Sequence, residues 1–283
     1  MNRICFFIGA HKTGTTYVNK TLLLNQAEIN QRDIRVEITS TMKSNLTNLI
    51  LRNDAKSRKL AQKFIYDKID SYNRCIFSHE NISGLIPSFY NKRTIYPNIG
   101  HRVKNLRAMM DGKKIDLVFS IRPYTGFVIA SYSEYIRGNE GYIPFNSFRK
   151  TVIKKGISWK KVIDDIKQNY PEADLHIYEQ SVLRHDQQKI FKLLLGQSIE
   201  MQKIKKSKGR PSISHEGFAI VNLLQEHGVD HNKKLINQIA SILPKGDKFR
   251  AYDPWSKSMK QKLEDQYASD LDEIDQITNL IRG

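Results

Sequence analysis

The chain has 283 residues, of which 40% are hydrophobic and 27% charged, enough for one elaborated α/β domain with a core of ordinary size. Lys and Arg number 46 against 29 Asp and Glu, and the net charge of +17 leaves nucleic acid, anionic membrane, acidic glycan and charged nucleotide all open as partners. No apolar stretch approaches the ~20 residues that span a bilayer. The N-terminal apolar run lacks a small-residue cleavage site. Cys5 and Cys75, in apolar strand-like settings, read as buried free thiols, so the expected location is cytoplasmic.

In chain order, the apolar run Ile4 to Ile8 reads as a strand that ends in small residues. Lys12-Thr13-Gly14-Thr15-Thr16 follows, and a helical pattern then runs to about Asn25. Ile34 to Thr39 reads as a second short strand, residues 44 to 72 as polar and helix-like, and Arg74 to Glu80 as a buried strand with a polar end. Residues 101 to 110 are helix-like and lead into the strand Ile115 to Arg122. Pro123 and Gly126 mark a turn before a helix from Phe127 to Arg137. A largely helical stretch spans 147 to 169, then come a strand Asp174 to Glu179, a helix 185 to 195, a basic loop through Pro211, and further helix that closes on an acidic one at 257–281. This alternation predicts an α/β, P-loop-like three-layer fold, with a central, mostly parallel sheet flanked by helices. Ligands of such sheets sit at the carboxyl ends of strands, where the Lys12 loop, Glu80 and Arg122 would converge. No internal repeat or low-complexity tract divides the chain, and residues 1–283 are expected to form a single domain.

The segment His11-Lys12-Thr13-Gly14-Thr15-Thr16 carries the most chemistry. Helix-start amides lack intrahelical acceptors and bind anions. Gly14 permits close backbone approach. Lys12 adds a point charge, and Thr15 and Thr16 add hydroxyl donors. A Walker A loop places its Lys directly after the last Gly. Here Gly9 and Gly14 have that spacing, yet Lys12 precedes Gly14 and Thr15 holds the Walker lysine position.

This lysine-first loop resembles the 5′-phosphosulfate loop of sulfotransferases that use 3′-phosphoadenosine 5′-phosphosulfate (PAPS), bacterial carbohydrate-type members above all. The resemblance implies sulfuryl transfer from PAPS to a hydroxyl acceptor without a metal. In that family a strand-end Arg and a later helical Ser hold the 3′-phosphate, and SIRPYTGFVIASYSEY is similar, which points to Arg122 and Ser131. Their separation is one residue longer than the family pattern, which would land on Ala130, and Ser133 takes the role if the helix starts later. The basic loop Lys208-Gly209-Arg210 resembles the segment that closes over the 3′-phosphate and adenine.

Glu80, in RCIFSHE, matches the Ser-x-Glu of glycan sulfotransferases and is assigned as the base. His79 is its rival, because small-phenol members use a histidine in that region, and strand alternation lets only one of the two face the site. The implied acceptor is a carbohydrate, a polysaccharide or glycolipid, with Tyr90, Tyr96, Tyr142 and Trp159 as aromatics for stacking on sugar rings. No nucleic acid partner is implied, peripheral membrane contact stays open, and the sequence carries no signal of oligomeric state. His227 and His231, near Glu226 and Asp230, have helical metal-ligand spacing, but Gly228 interrupts them and no third ligand is identified, so no metal is expected. Two other readings compete: a Mg²⁺–ATP-dependent P-loop kinase of small molecules, and a non-catalytic polyanion-binding protein.

Overall fold

The apolar runs become strands because both faces of the sheet they form are covered. The computed structural model describes residues 3–138, 141–204, 211–229 and 232–283. Within them lie β1 (Ile4–Phe7), β2 (Ile34–Glu37), β3 (Arg74–Ser78), β4 (Asp116–Ile121), β5 (Asp174–Glu179) and β6 (Asn279–Ile281). They form one sheet of order β2-β3-β1-β4-β5-β6, and every strand pairing in it is parallel.

Successive residues of each strand feed two separate cores. Ile4, Phe6, Cys75, Phe77, Leu117 and Phe119 enter one, while Cys5, Phe7, Ile76 and Val118 enter the other. Cys5 pairs in register with Ile76, and Cys75 with Ile4, so the two thiols point to opposite faces and cannot meet. The principal helices are α1 (Thr15–Leu24), α2 (Ala55–Ile69), α3 (Ile99–Met109), α4 (Tyr124–Arg137), α5 (Trp159–Asn169), α6 (Gln187–Leu195), α7 (His215–Glu226) and α8 (Lys257–Asp275). Helices α1 and α6 cover the smaller core, and α2, α3, α4, α5 and α8 the larger. No helix among the described residues is long and apolar enough to cross a membrane.

β1 lies between β3 and β4: the chain runs from β1 to β2 and β3 on one side, then crosses to β4 and β5 on the other. This divergence opens a crevice beyond the carboxyl ends of β1 and β4. The end of β4 is fixed there by a buried network. Trp159 Nε1 donates to the Arg122 carbonyl at 2.9 Å, and Asp270 of α8 accepts from the Trp159 backbone N–H at 2.5 Å and from the Tyr124 hydroxyl. Asp270 thereby caps α5 with a carboxylate, where unpaired amides and the helix dipole favour one.

Several boundaries differ from expectation: β2 ends at Glu37 and not at Thr39, and α4 begins at Tyr124 and not at Phe127. The strand expected to reach Glu80 ends at Ser78, and Glu80–Ile82 forms a single 3₁₀ turn. The helical stretch over 147–169 is two helices, Phe145–Ile153 and Trp159–Asn169. The acidic C-terminal helix stops at Asp275, and Asn279–Ile281 adds the edge strand β6 beside β5.

Candidate active site

Between β1 and α1 the backbone must turn tightly. Gly14, the residue capping α1, takes φ +98, a left-handed conformation that costs little only for glycine. No acidic residue occupies the first turn of α1. Lys12 is also left-handed, at φ 65, which disfavours any residue with a Cβ by roughly 1–2 kcal/mol. Its carbonyl accepts from Arg122 Nη1 at 2.7 Å and from Gln180 Nε2 at 3.3 Å, and these two bonds hold the strained turn. The Thr13 hydroxyl turns inward to the Ala10 carbonyl and Ser120, both at 2.5 Å, so it serves the loop's shape. Thr16 is exposed at the helix start.

His11 anchors the other flank. Its backbone N–H donates to the Tyr96 hydroxyl at 2.7 Å, Nδ1 lies 3.0 Å from the same hydroxyl, and Nε2 lies 2.9 Å from Asn81 Oδ1. Every atom is satisfied when Tyr96 donates to Nδ1 and Nε2–H donates to Asn81. Tyr96 is buried and itself left-handed, at φ 44. It is a strut beneath the loop, and neither Tyr96 nor the fully buried Trp159 can stack on a sugar.

The 3₁₀ turn brings Glu80 to this loop. Ser83 Oγ donates to the carbonyls of Ile8 and of Glu80, and Arg102 Nη1 donates to the Asn81 carbonyl at 2.9 Å. So held, the half-buried Glu80 carboxylate accepts from Thr15 Oγ1 at the start of α1. His79, one residue earlier, is buried, and its Nδ1 lies 2.6 Å from Thr47 Oγ1. Burial is the main cause that pulls its pKa down to about 4, and the Glu80 charge opposes it. Of the two, Glu80 is the group the turn delivers to the loop.

Arg122 projects from the end of β4 into a cleft of about 500 Å³. Lys12, Arg184, Lys245 and Lys260 also line it, with Asp253, Tyr252 and Trp255. Burial, with Arg184 nearby, lowers the Arg122 pKa to about 10. Its Nε is buried without a hydrogen-bond partner, and among the described residues no carboxylate pairs with it. A desolvated guanidinium is stabilised by an anionic partner. The side chain fits because residue 126 is glycine; a Cβ there would come within 2.6 Å of Arg122 Nη2.

Along α4, Gly126, Ala130 and Ser133 share the face that lines the cleft. Ser131 lies on another face, buried, and its hydroxyl has no partner among the described residues. The serine facing the cleft is therefore Ser133, whose hydroxyl donates to the Ile129 carbonyl at 3.0 Å. Lys208, Gly209 and Arg210 lie outside the described residues, as do Asp230 and His231.

No protein-family model matches the chain, and no curated protein matches it either. Solved structures similar to it include two sulfotransferases. A sulfotransferase from Alicyclobacillus acidocaldarius is 10% identical at a TM-score of 0.43, over 80% of this chain and 92% of that one. Mouse sulfotransferase SULT7A1, complexed with PAP, is 11% identical at a TM-score of 0.44, over 95% of this chain and 84% of that one.

Several groups of the site give little sequence signal. Asn81, Ser83, Tyr96, Gln180, Tyr252 and Trp255 act through contacts distant in sequence. Glu134 is another, with its Oε1 3.0 Å from Lys12 Nζ. Only the face of α4 was within reach, because Gly126, Ala130 and Ser133 recur at helical spacing.

Proposed function

We propose that this chain transfers a sulfuryl group from PAPS to the hydroxyl of an acceptor, with carbohydrate as the acceptor class. The observation that carries the reading is the convergence on one loop of a carboxylate, a lysine and an arginine that has no counter-ion among the described residues. Glu80 meets Thr15 on one side, and Lys12 and Arg122 line the cleft on the other. A 3′,5′-bisphosphate nucleotide fits this donor set. Arg122 offers an unused buried donor, α1 an anion-binding start without acidic residues in its first turn, and the described residues of the cleft five cations against one carboxylate.

PAPS supplies an activated sulfuryl group on a good phosphate leaving group. The residues would do the remaining work. The amides from Gly14 to Thr16 and the Lys12 ammonium neutralise charge on the phosphate end, the electrostatic stabilisation that dominates such transfers. Arg122, with Ser133 beside it, holds the 3′-phosphate as a fixed guanidinium fork. Tyr252 and Trp255 offer flat surfaces for the base. Glu80 accepts the acceptor hydroxyl's proton. The net positive charge and the glutamate in the base position support a carbohydrate acceptor, and the exposed part of Tyr142 or Tyr90 supports ring stacking.

Calorimetric titration tests the reading, with 3′-phosphoadenosine 5′-phosphate (PAP), AMP and ATP, each with and without Mg²⁺. Metal-independent binding that requires the 3′-phosphate supports it. Preference for Mg²⁺–ATP would move the chain to the kinases, and indiscriminate, salt-sensitive binding would make it a polyanion-binding protein.

A further inference from the structure

The cations of the cleft are not equivalent. Among the described residues, Arg122, Arg184 and Lys245 have no carboxylate partner, and Lys260 reaches Asp253 at 3.5 Å. Lys12, the cation nearest the start of α1, is tied at 3.0 Å to Glu134 of α4. The same oxygen, Glu134 Oε1, lies 3.2 Å from Arg137 Nη1. Arg137 is buried, and its Nη2 donates to the Pro211 carbonyl at 2.7 Å.

We propose that Glu134 is the resting counter-ion of Lys12, a positioning residue that yields the ammonium to the anionic ligand and stays paired with Arg137. This rests on the cofactor reading above. Three features carry it. A carboxylate beside an anion-binding loop repels the ligand unless its charge is answered, and Lys12 can answer only one anion fully. Breaking a partly buried ion pair is costly when the carboxylate is orphaned, but Arg137 already sits on the shared oxygen. The two cations also differ in mobility. Lysine is a point charge on a flexible stem and Arg137 a guanidinium fixed by burial and by Pro211, so Lys12 is the one that moves.

The hand-over has a consequence for selectivity. A ligand gains Lys12 only if it brings enough negative charge at the 5′ end to displace Glu134, so uncharged nucleosides leave the pair intact. Removing the carboxylate should help only ligands that reach Lys12.

The test is calorimetry of the wild type, Glu134→Gln and Glu134→Gln/Lys12→Ala with PAP and with adenosine 3′-monophosphate, which lacks the 5′ group. Glu134→Gln is expected to bind PAP about three- to fivefold tighter, the scale of one partly exposed ion pair. Affinity for adenosine 3′-monophosphate should stay unchanged, and the gain should vanish without Lys12. In turnover the KM for PAPS should fall by a similar factor, with kcat moving less. Glu134→Asp, which keeps the charge and lengthens the pair, guards against misfolding and should show a smaller gain in PAP affinity. Unchanged or weaker PAP binding by these variants, while the wild type binds PAP, overturns the role of Glu134 alone. So does a gain that extends to the 3′-monophosphate or survives Lys12→Ala. A wild type that does not bind PAP overturns the cofactor reading, and this inference with it.

Discussion

Glu80 and His79 are adjacent in sequence, yet their surroundings separate them chemically. One carboxylate rests on the Thr15 hydroxyl at a helix start, and one imidazole is buried against Thr47. Glu80→Gln preserves size and the contact with Thr15 but cannot take a proton. It should lower kcat by about 10²–10⁴ and leave PAP affinity nearly unchanged, which single-turnover assays beside calorimetry would separate. Equal losses in binding and turnover would instead make Glu80 a structural cap. Arg122→Ala should weaken PAP about 10- to 100-fold, the scale of charge-assisted hydrogen bonds. AMP should lose much less, and the PAP-to-AMP ratio is the quantity to measure. Similar losses for both would mean that Arg122 serves mainly to hold the Lys12 carbonyl.

At the scale of elements, α4 has two tasks: it packs against the larger core, and it shapes the cleft. Gly126→Ala separates them. Alanine favours an exposed helix by up to about 1 kcal/mol over glycine, while its Cβ would meet Arg122 Nη2 at 2.6 Å. The variant should melt no lower than the wild type and bind PAP at least about threefold more weakly, since one charged contact is displaced. Affinity that holds as stability rises would show that Arg122 has room to move aside.

The same helix shows what was legible beforehand. Strands β1, β3 and β4 could be read because near-continuous apolar runs mark a sheet buried on both faces, and β5 because Leu175, Ile177 and Tyr178 stand among polar residues in a short β-prone segment. The loop could be read because Lys12, Gly14 and Thr15 fall within four consecutive residues. Ser133 faces the cleft although α4 starts at Tyr124, three residues before the expected Phe127 and not later. The condition attached to Ser133 therefore does not hold, and the cleft-facing phase is set by packing that the sequence does not display. β6 falls within the expected C-terminal helix, since one exposed and two half-buried residues carry too little pattern to oppose the acidic run before them. The pairing of Lys12 with Glu134 spans 122 positions and leaves no local trace.

For the whole molecule, His79 sets a pH limit on stability. Its pKa is about 4 in the folded chain against 6.5 for an ordinary histidine. Between these values the unfolded chain binds a proton that the native one refuses, so stability falls as pH drops from 6.5 toward 4. The loss from this group is on the order of 3 kcal/mol and is complete below the lower value. His79→Asn, which keeps a hydrogen-bonding group for Thr47 and cannot charge, should flatten the melting temperature across that window. A profile as steep as the wild type's would assign the acid sensitivity to other groups.

The two thiols, on opposite faces of the sheet, bear on how the protein can be studied. Both are fully buried, and burial pushes Cys5 up to about 12 and Cys75 to about 11. At neutral pH neither offers a thiolate to a maleimide reagent. The native surface is thus blank to thiol labelling, and Ala251→Cys, on the exposed rim of the cleft, would carry a single fluorophore. Its emission would follow ligand entry and departure in real time, without first removing a native cysteine from the core.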